Sequence, residues 1–276
     1  MSEPNHARRF TLLWLLATVI ALPIVIWVIG PLIGPGNGSD QASGQGTDAT
    51  VLAVIATPVI LLVMLYLLYS VIFFRQPSGG ALEGPAVRGD SKVQTTWIVI
   101  TSVLVLIVAV YGTVRLESAN GAGSGSGATP LSVPSGPKLP VQVIAQQWYF
   151  TYRFPTYGGV ETPHLVLPVN TQIELNVTSL DVIHSFWAYQ LGVKADANPQ
   201  VNNVAFVKPT KVMRFEVRCS ELCGIWHGSM FDYGHVVSVP AFKQWIARAQ
   251  VTYAAAKAAL PPYSKTYAPE PTRRGG

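Results

Sequence analysis

Three long apolar runs constrain the architecture of this chain more than any other feature of its sequence. They cover residues 10–33, 51–74 and 95–114, and none of them contains a charged side chain. A helix of about 20 such residues, rising about 1.5 Å per residue, crosses a hydrocarbon core about 30 Å thick. Only 12% of the 276 residues are charged, which is unusual for a soluble protein. The sequence therefore predicts an anchor of transmembrane helices.

The charges beside these runs orient the chain across the membrane. Arg8 and Arg9 precede the first run, and more basic residues, including Arg88 and Lys92, lie between the second and the third. Loops rich in Lys and Arg stay on the cytoplasmic side. The segment 35–50 contains Asp but no basic residue, so we predict that it is an outer linker. The region after the third run is then outside the membrane.

The first run, within residues 1–34, has two interpretations. It is either a retained helix or a cleaved signal segment, whose apolar core is normally about 7–15 residues long and ends at a small-residue cleavage site. The run here is longer, and the sequence PLIGP at 31–35 is a poor cleavage site. We favour a retained helix. Residues 51–116 form a transmembrane hairpin under either interpretation.

The rest of the chain has a different composition. Residues 117–139 are rich in Gly, Ser and Pro, which predicts a flexible linker without packed structure. From 140 to 240 the apolar pattern has a period of two, which is typical of half-buried strands. The predicted strand segments are 141–154, 171–177, 203–207, 211–217 and 234–239. They indicate a compact antiparallel β-sandwich, followed in residues 241–276 by an Ala-rich helix to Leu260 and a tail.

The segment 219–230, with the sequence CSELCGIWHGSM, concentrates metal ligands. It contains the only two cysteines, Cys219 and Cys223, together with His227 and Met230. Thiolate, thioether and imidazole form a soft donor set, which suits copper better than magnesium, calcium or manganese. A zinc site has no reason to recruit methionine. His184 ends an upstream apolar segment, and a strand could carry it to this loop. The donor set favours a copper centre that moves electrons.

Each of these residues also has an ordinary explanation. Two cysteines so close in sequence can form a strained disulfide or remain buried thiols. A single methionine more often fills a core, and a single histidine more often makes a surface hydrogen bond. The complete string C-x-E-x-C-x-x-x-H-x-x-M is hard to assemble by chance, so metal binding is the stronger hypothesis.

The segment resembles the binuclear copper (CuA) signature of subunit II of haem–copper cytochrome c oxidases. Further motifs support the resemblance in family order: QWY at 147–149, DVIHSFW at 181–187, KADANP at 194–199 and FKQW at 242–245. The resemblance implies a membrane-anchored all-β protein, in which N-terminal transmembrane helices precede a cupredoxin-like antiparallel β-sandwich at residues 140–240.

The resemblance also implies the ligands of two copper ions. The sulfurs of Cys219 and Cys223 would bridge both ions. His184 and Met230 would complete the coordination of one ion. His227 and the backbone carbonyl of Glu221 would complete that of the other.

The implied function is that of the subunit through which electrons enter the oxidase. Electrons from an external donor would arrive through Trp148, cross the copper centre and reach haem. Only the partner subunit I would bind haem, and oxygen would be reduced to water and protons translocated there. The carboxylate of Glu221 would face a magnesium ion shared with subunit I, because Mg²⁺ prefers oxygen ligands. Other oxidase subunits and membrane lipid are further expected partners, in a bacterial plasma membrane.

Three positions depart from the family pattern. Gln94 replaces a glutamate at the mouth of a proton path. Because glutamine exchanges no proton, either that path begins elsewhere or this chain lacks that acid. Thr101 replaces a proline, which predicts a straighter third helix. Phe150 replaces a second tryptophan after Trp148-Tyr149.

The charge of the outer region bears on the electron donor. Residues 138–276 contain 13 Lys and Arg against eight Asp and Glu, a net charge of +5, whereas relatives that dock a basic cytochrome c present an acidic face. The sequence favours a neutral or acidic cytochrome c, a tethered cytochrome or a small copper protein as donor. A few local acids, such as Asp196 or Asp232, are the alternative explanation. Nucleic acid is not an expected partner of a domain outside the membrane.

Three other functions would share some of these features. Subunit II of a quinol oxidase would lack the copper ligands, and nitrous oxide reductase needs a domain with far more than the five histidines present. A membrane-anchored copper-binding or copper-delivery protein with a cupredoxin domain remains the alternative, although it has little need for Trp148 or for the carboxylate of Glu221.

Overall fold

The structure is a computed structural model that describes residues 5–75, 89–119, 121, 123–125 and 127–254. The chain divides into two compact units. One contains Met1–Gly30 and Thr50–Ser118, and the other contains Pro31–Ala49 and Ala119–Gly276. The predicted tail and the predicted helical residues 255–260 lie outside the described residues.

The first unit is helical. Helix α1 spans His6–Ile24 and continues as single turns through Val25–Ile29 and Gly30–Leu32, α2 spans Asp40–Phe73 and α3 spans Ser91–Ser118. All three segments are long and apolar enough to cross a membrane, which confirms the helices predicted from the apolar runs. Thr101 lies inside α3, where its hydroxyl donates to the carbonyl of Trp97 at 2.8 Å, and the helix is unbroken there.

Specific contacts join α1 to α2. The indole N–H of Trp14 donates to the carbonyl oxygen of Pro58 at 2.8 Å. Nearer the start of α1, Nδ1 of His6 lies 2.8 Å from the hydroxyl of Tyr69, and the ring of Phe10 packs edge-on against Tyr66. The first apolar run therefore packs as a helix against the second.

The predicted outer linker at 35–50 is partly structured, because α2 already begins at Asp40. The hydroxyl of Ser39 is buried, accepts the N–H of Ala42 and donates to the carbonyl of Leu191 at 2.6 Å. The amide of Gln45 donates to the carbonyl of Gly192, also at 2.6 Å. Small and polar residues here satisfy backbone groups of the β-domain. The composition resembles that of a linker because these residues have no apolar period.

The described residues of the second unit form a β-sandwich of ten strands, which confirms the predicted sandwich fold. Its strands are β1 Leu139–Gln146, β2 Tyr149–Phe154, β3 Val160–Thr162, β4 Val166–Pro168, β5 Ile173–Ser179, β6 His184–Ala188, β7 Val193–Ala197, β8 Asn203–Val207, β9 Met213–Cys219 and β10 Phe231–Val237. One sheet has the order β3-β2-β1-β5-β8, and the other has the order β4-β10-β9-β6-β7.

Two details of the predicted sandwich are corrected. The β1–β5 and β4–β10 pairs are parallel, so the sheets are mixed rather than purely antiparallel, because these partners are joined by crossovers instead of hairpins. The predicted strand 141–154 is a hairpin of β1 and β2 in which Gln146 faces Tyr149. Alternating sequence alone does not reveal the turn, which places Gln147 and Trp148 at the end of the sheet.

Described residues of the predicted linker 117–139 pair with the β-domain, contrary to the prediction of a linker without packed structure. The N–H of Gly125 donates to the carbonyl of Val204 at 2.8 Å, and the N–H of Val204 donates to the carbonyl of Gly127 at 2.9 Å. These bonds extend the sheet beyond β8, because an edge strand presents unpaired backbone groups. Polar and glycine-rich composition predicts flexibility and does not reveal this backbone pairing.

The core lies between the two sheets and consists mainly of aliphatic residues packed around a few large aromatic rings. Tyr152, Phe154, Phe186 and Phe215 are almost completely buried there. Helix α4, Val239–Thr252, begins at Ser238, whose hydroxyl accepts the N–H of Ala241, and it buries Phe242 against Phe154. Cys219, Cys223 and Met230 belong to the same buried cluster, so the core extends to the predicted ligands.

Candidate metal centre

The six predicted ligand residues come from three parts of the second sheet. His184 is the first residue of β6 and Cys219 is the last residue of β9. The remaining four lie in the connection between β9 and β10: Glu221, Cys223, His227 in a single 3₁₀ turn, and Met230 just before β10. Phe186 pairs with Cys219 in the β6–β9 register, so the sheet brings His184 to the same end as the loop.

The donor atoms converge on one point. The sulfurs of Cys219 and Cys223 are 3.8 Å apart. Nδ1 of His184 lies 3.9 Å from the Cys219 sulfur, whereas Nδ1 of His227 lies 3.6 Å and Sδ of Met230 lies 3.8 Å from the Cys223 sulfur. A thiolate sulfur binds a metal at about 2.3 Å, so two sulfurs on one ion lie up to about 4.6 Å apart. The spacings therefore fit shared sulfurs with further donors on both sides.

Glu221 contributes its backbone rather than its side chain to this cluster. Its carbonyl oxygen lies 3.2 Å from the sulfur of Cys219, and the residue itself is exposed. Among the described residues, His184, Cys219 and Cys223 form the one group of three such donors whose ligand atoms lie within 4.8 Å of one another. Both cysteines are free thiols in the structure, so the disulfide is not formed.

The two thiols differ in acidity. Burial opposes ionisation of Cys219, but the hydrogen bond between its sulfur and His184, together with backbone hydrogen bonds at Ser185 and Glu221, outweighs burial and lowers its pKa to about 6. Burial raises the pKa of Cys223 to about 12, and the neighbouring Cys219 thiolate adds to the effect. Because a thiolate is the metal-binding form, one half of the sulfur pair is ready to bind near neutral pH.

Asp181 orients His184, a role that the sequence did not reveal. Its Oδ1 lies 2.9 Å from Nε2 of His184, so Nε2 carries the proton and Nδ1 is free to face the sulfur pair. The same carboxylate accepts the N–H groups of Gln147 and Val182. Burial raises the pKa of Asp181, but these hydrogen bonds prevail and lower it. Burial lowers the pKa of His184, but its bonds to Cys219 and Asp181 raise it overall.

Trp148 lies directly against the loop that carries the ligands. Its indole N–H donates to the carbonyl of Cys223 at 3.2 Å, and the side-chain amide of Gln147 donates to the same oxygen at 2.8 Å. The next residue, Gly224, has φ +118°, and a Cβ there would lie 3.0 Å from the Gln147 amide nitrogen. Glycine is therefore required at this close approach. Sequence reasoning identified Trp148 but missed Gln147 and Gly224.

The surface around the loop is apolar and exposed. Leu222 and Ile225 are 79% and 84% exposed, and the exposed ring of Trp226 packs edge-on against Trp148. Such a patch is typical of a protein contact site. The other histidines are engaged elsewhere, since His164 pairs with Asp232 at 3.0 Å and His6 contacts Tyr69, while His235 lies exposed on β10.

Comparisons with known proteins agree with the geometry. The family model described as the periplasmic domain of cytochrome c oxidase subunit II matches residues 159–232. Cytochrome c oxidase subunit 2 of Thermostichus vulcanus is 26% identical, with 84% of each chain covered, and that of Synechocystis is 25% identical, with 83% of this chain and 81% of the relative covered. The crystal structure of the periplasmic domain of subunit II from Bradyrhizobium japonicum is 32% identical, covers 44% of this chain and 98% of that one, and has a TM-score of 0.42.

The apolar helices and the match to a periplasmic domain describe a membrane-anchored protein with its β-domain on the outer face. The cysteine and histidine donors form a candidate copper site. The matched segment includes the copper-loop residues, and the relatives match over most of their length. This chain belongs to the family of cytochrome c oxidase subunit II.

Proposed function

We propose that this chain is the electron-entry subunit of a cytochrome c oxidase and holds a binuclear CuA centre with the six residues named above. The observation that carries the proposal is the convergence of two sulfurs, two imidazole nitrogens, a thioether and a carbonyl oxygen within 3.9 Å contacts. When bound, a pair of copper ions sharing both sulfurs supplies a one-electron couple delocalised over two metals.

The protein fixes the positions of the proposed ligands and shields them from water. His184 and Cys223 are 0% and 3% exposed, and Met230 is 2% exposed. Cys219 is fixed by its own strand, and the N–H of Cys219 donates to the carbonyl of Met230 at 3.0 Å. Ligands held by rigid strands and hydrogen bonds change position little between redox states, which supports rapid transfer at a small driving force.

Trp148 is proposed as the point where electrons enter. Its ring contacts the exposed Trp226, and its N–H reaches the backbone of a bridging cysteine, so it connects the surface with the ligand set. The apolar rim of Leu222 and Ile225 offers a docking patch for the donor. Because residues 138–276 carry a net charge of +5, a neutral or acidic cytochrome, a tethered cytochrome or a small copper protein remains the proposed donor.

Further partners follow from the same proposal. Electrons would pass to haem in subunit I, where oxygen reduction and proton translocation take place. The exposed carboxylate of Glu221 is proposed to share a magnesium ion with that subunit, since Mg²⁺ prefers carboxylates and retains waters. The chain is proposed to lie in a bacterial plasma membrane with three membrane passes, α1 included.

Purification of the complex tests the proposal. We expect the chain to co-purify with a haem-containing subunit and with two copper ions per chain, and we expect Trp148→Phe to slow reduction by the donor while leaving copper content unchanged. A chain that carries one copper ion, lacks haem partners and releases its copper to another protein would instead identify a copper-delivery protein. Changing Cys219 to Ser serves as the copper-depleted control.

A further inference from the structure

A hollow lies between the second sheet and helix α4, and none of the six predicted copper ligands lines it. Its lining residues come from β4, β9, β10 and α4, together with His164 shortly before β4. Its volume is about 660 Å³, and sites for small molecules typically measure about 300–1,000 Å³. We call it the α4 hollow. Its polar and aromatic lining includes Arg214, Asp232, Tyr233, His235, Trp245 and Arg248.

Basic side chains outnumber acidic ones in the lining of the α4 hollow. Arg214 and Arg248 are permanently charged, and two histidines, His164 and His235, line the hollow with them. The one carboxylate among the described lining residues belongs to Asp232, and it already pairs with Nδ1 of His164 at 3.0 Å. Neither arginine forms an ion pair with a carboxylate of the described residues. Both guanidinium groups are therefore available to an external anion.

Packing holds part of this lining in place. The guanidinium carbon of Arg214 lies 3.4 Å from the centroid of the Tyr233 ring, and a guanidinium stacked on an aromatic ring keeps its N–H donors. Strand register sets His235 opposite Arg214. The ring of Trp245 packs edge-on against Phe154 with a centroid distance of 5.5 Å, while its indole N–H has no hydrogen-bond partner within the described part of the chain. Side chains fixed in this way lose little entropy when they bind a ligand.

The charge and the placement of these donors favour phosphate over a simple carboxylate. Guanidinium groups bind both anions through paired N–H donors. A phosphate monoester carries a charge of about −1.5 to −2 at neutral pH, which matches two arginines, whereas a monocarboxylate carries only one charge. Arg214 belongs to a strand and Arg248 to the helix. A tetrahedral phosphate accepts hydrogen bonds from several directions, but a planar carboxylate accepts them mainly in its own plane.

We propose that the α4 hollow binds a pyrophosphate or an organic phosphate between Arg214 and Arg248, with the indole N–H of Trp245 as a further donor. The volume of the hollow leaves room for a second phosphoryl group or for the organic part of the ligand. Both soluble phosphates and phospholipid headgroups carry this chemistry. The site does not include the copper ligands, so it goes beyond the proposed function and does not depend on bound copper.

Calorimetric titration of the full chain with pyrophosphate, in a neutral detergent, tests the inference. We expect Arg214→Gln and Arg248→Gln each to weaken binding by about tenfold or more, because each removes a charge-assisted hydrogen bond. Trp245→Phe keeps an aromatic ring in place but removes the N–H, so binding should weaken by about two- to tenfold. Lys243→Gln is the matched control, because Lys243 is an exposed cation of the same helix that does not line the hollow. The control should bind as wild type.

The source of the phosphate is distinguished by a second titration with a soluble short-chain phosphatidic acid. Tighter binding of this lipid than of pyrophosphate identifies a headgroup, and the reverse order identifies a soluble phosphate.

Other outcomes decide against the inference. Pyrophosphate that does not bind, or that binds all variants equally, overturns it. So does succinate bound as tightly as pyrophosphate, because the hollow would then not select phosphate. Binding to the isolated chain that is absent from the assembled oxidase also overturns it, because another subunit would then cover the hollow. If Arg214→Gln does not fold without its stack on Tyr233, the exposed Arg248 decides through Arg248→Gln alone.

Discussion

Asp181 gives the sharpest prediction about the site. Asp181→Asn keeps the shape of the side chain but removes its charge and one acceptor. The carboxylate now accepts from Nε2 of His184 at 2.9 Å and from the N–H of Gln147 at 2.7 Å. An amide cannot accept both, because its NH₂ group must face one of these donors. Either His184 loses its orientation or the turn that holds Trp148 loses its anchor.

The expected cost follows from these contacts. Loss of a partner that orients a metal-binding histidine lowers metal affinity by about 10–100-fold, which corresponds to about 1.4–2.8 kcal/mol. Copper affinity measured by competition with a chelator, together with the visible spectrum, reports the change. Asp232→Asn is the matched control, because it removes another carboxylate–histidine pair, in which the histidine, His164 at 3.0 Å, is not a predicted ligand. Wild-type copper affinity in both Asp181→Asn and Asp181→Ala would refute the proposed orienting role.

Three further predictions concern the loop, the thiols and the first helix. Gly224→Ala should loosen copper binding, because its φ of +118° costs a residue with a Cβ about 1–3 kcal/mol; an unchanged copper affinity would contradict this. In metal-free Cys223→Ser, thiolate absorbance should rise through about pH 6, since the lowered pKa of Cys219 makes the thiolate dominant above that pH. A titration at its ordinary value of 9.0 would show that His184 does not stabilise the thiolate. The mass of the mature subunit should include α1, because Trp14 and His6 contact α2; a chain that begins after residue 34 would identify a cleaved signal.

The candidate ligand residues could be picked out from the sequence because their chemistry is local. Cys219, Cys223, His227 and Met230 lie within one short segment, and the soft donor set indicates copper without knowledge of the fold. His184 required one further assumption, that a strand carries it to the loop, and the β6–β9 pairing fulfils it. The apolar runs were equally readable, since a membrane span depends on length and composition alone.

The features that escaped prediction depend on contacts between distant segments. Ser39 donates to Leu191, and Gly125 pairs with Val204, although both lie in segments whose composition indicates flexible linkers. The parallel pairing of β1 with β5 depends on the path of the chain, which period-two alternation does not encode. Asp181 belonged to a recognised motif, but its hydrogen bond to His184 became visible only when both side chains were placed.

The central claim is that the sulfurs of Cys219 and Cys223 hold two copper ions that share one unpaired electron. Electron paramagnetic resonance of the purified, partly oxidised protein, combined with copper analysis of the same sample, tests it most directly. The account predicts two copper ions per chain and hyperfine splitting from two equivalent copper nuclei, both lost in Cys219→Ser. A spectrum in which the electron is confined to a single copper nucleus, from a sample with one copper ion per chain, would contradict it.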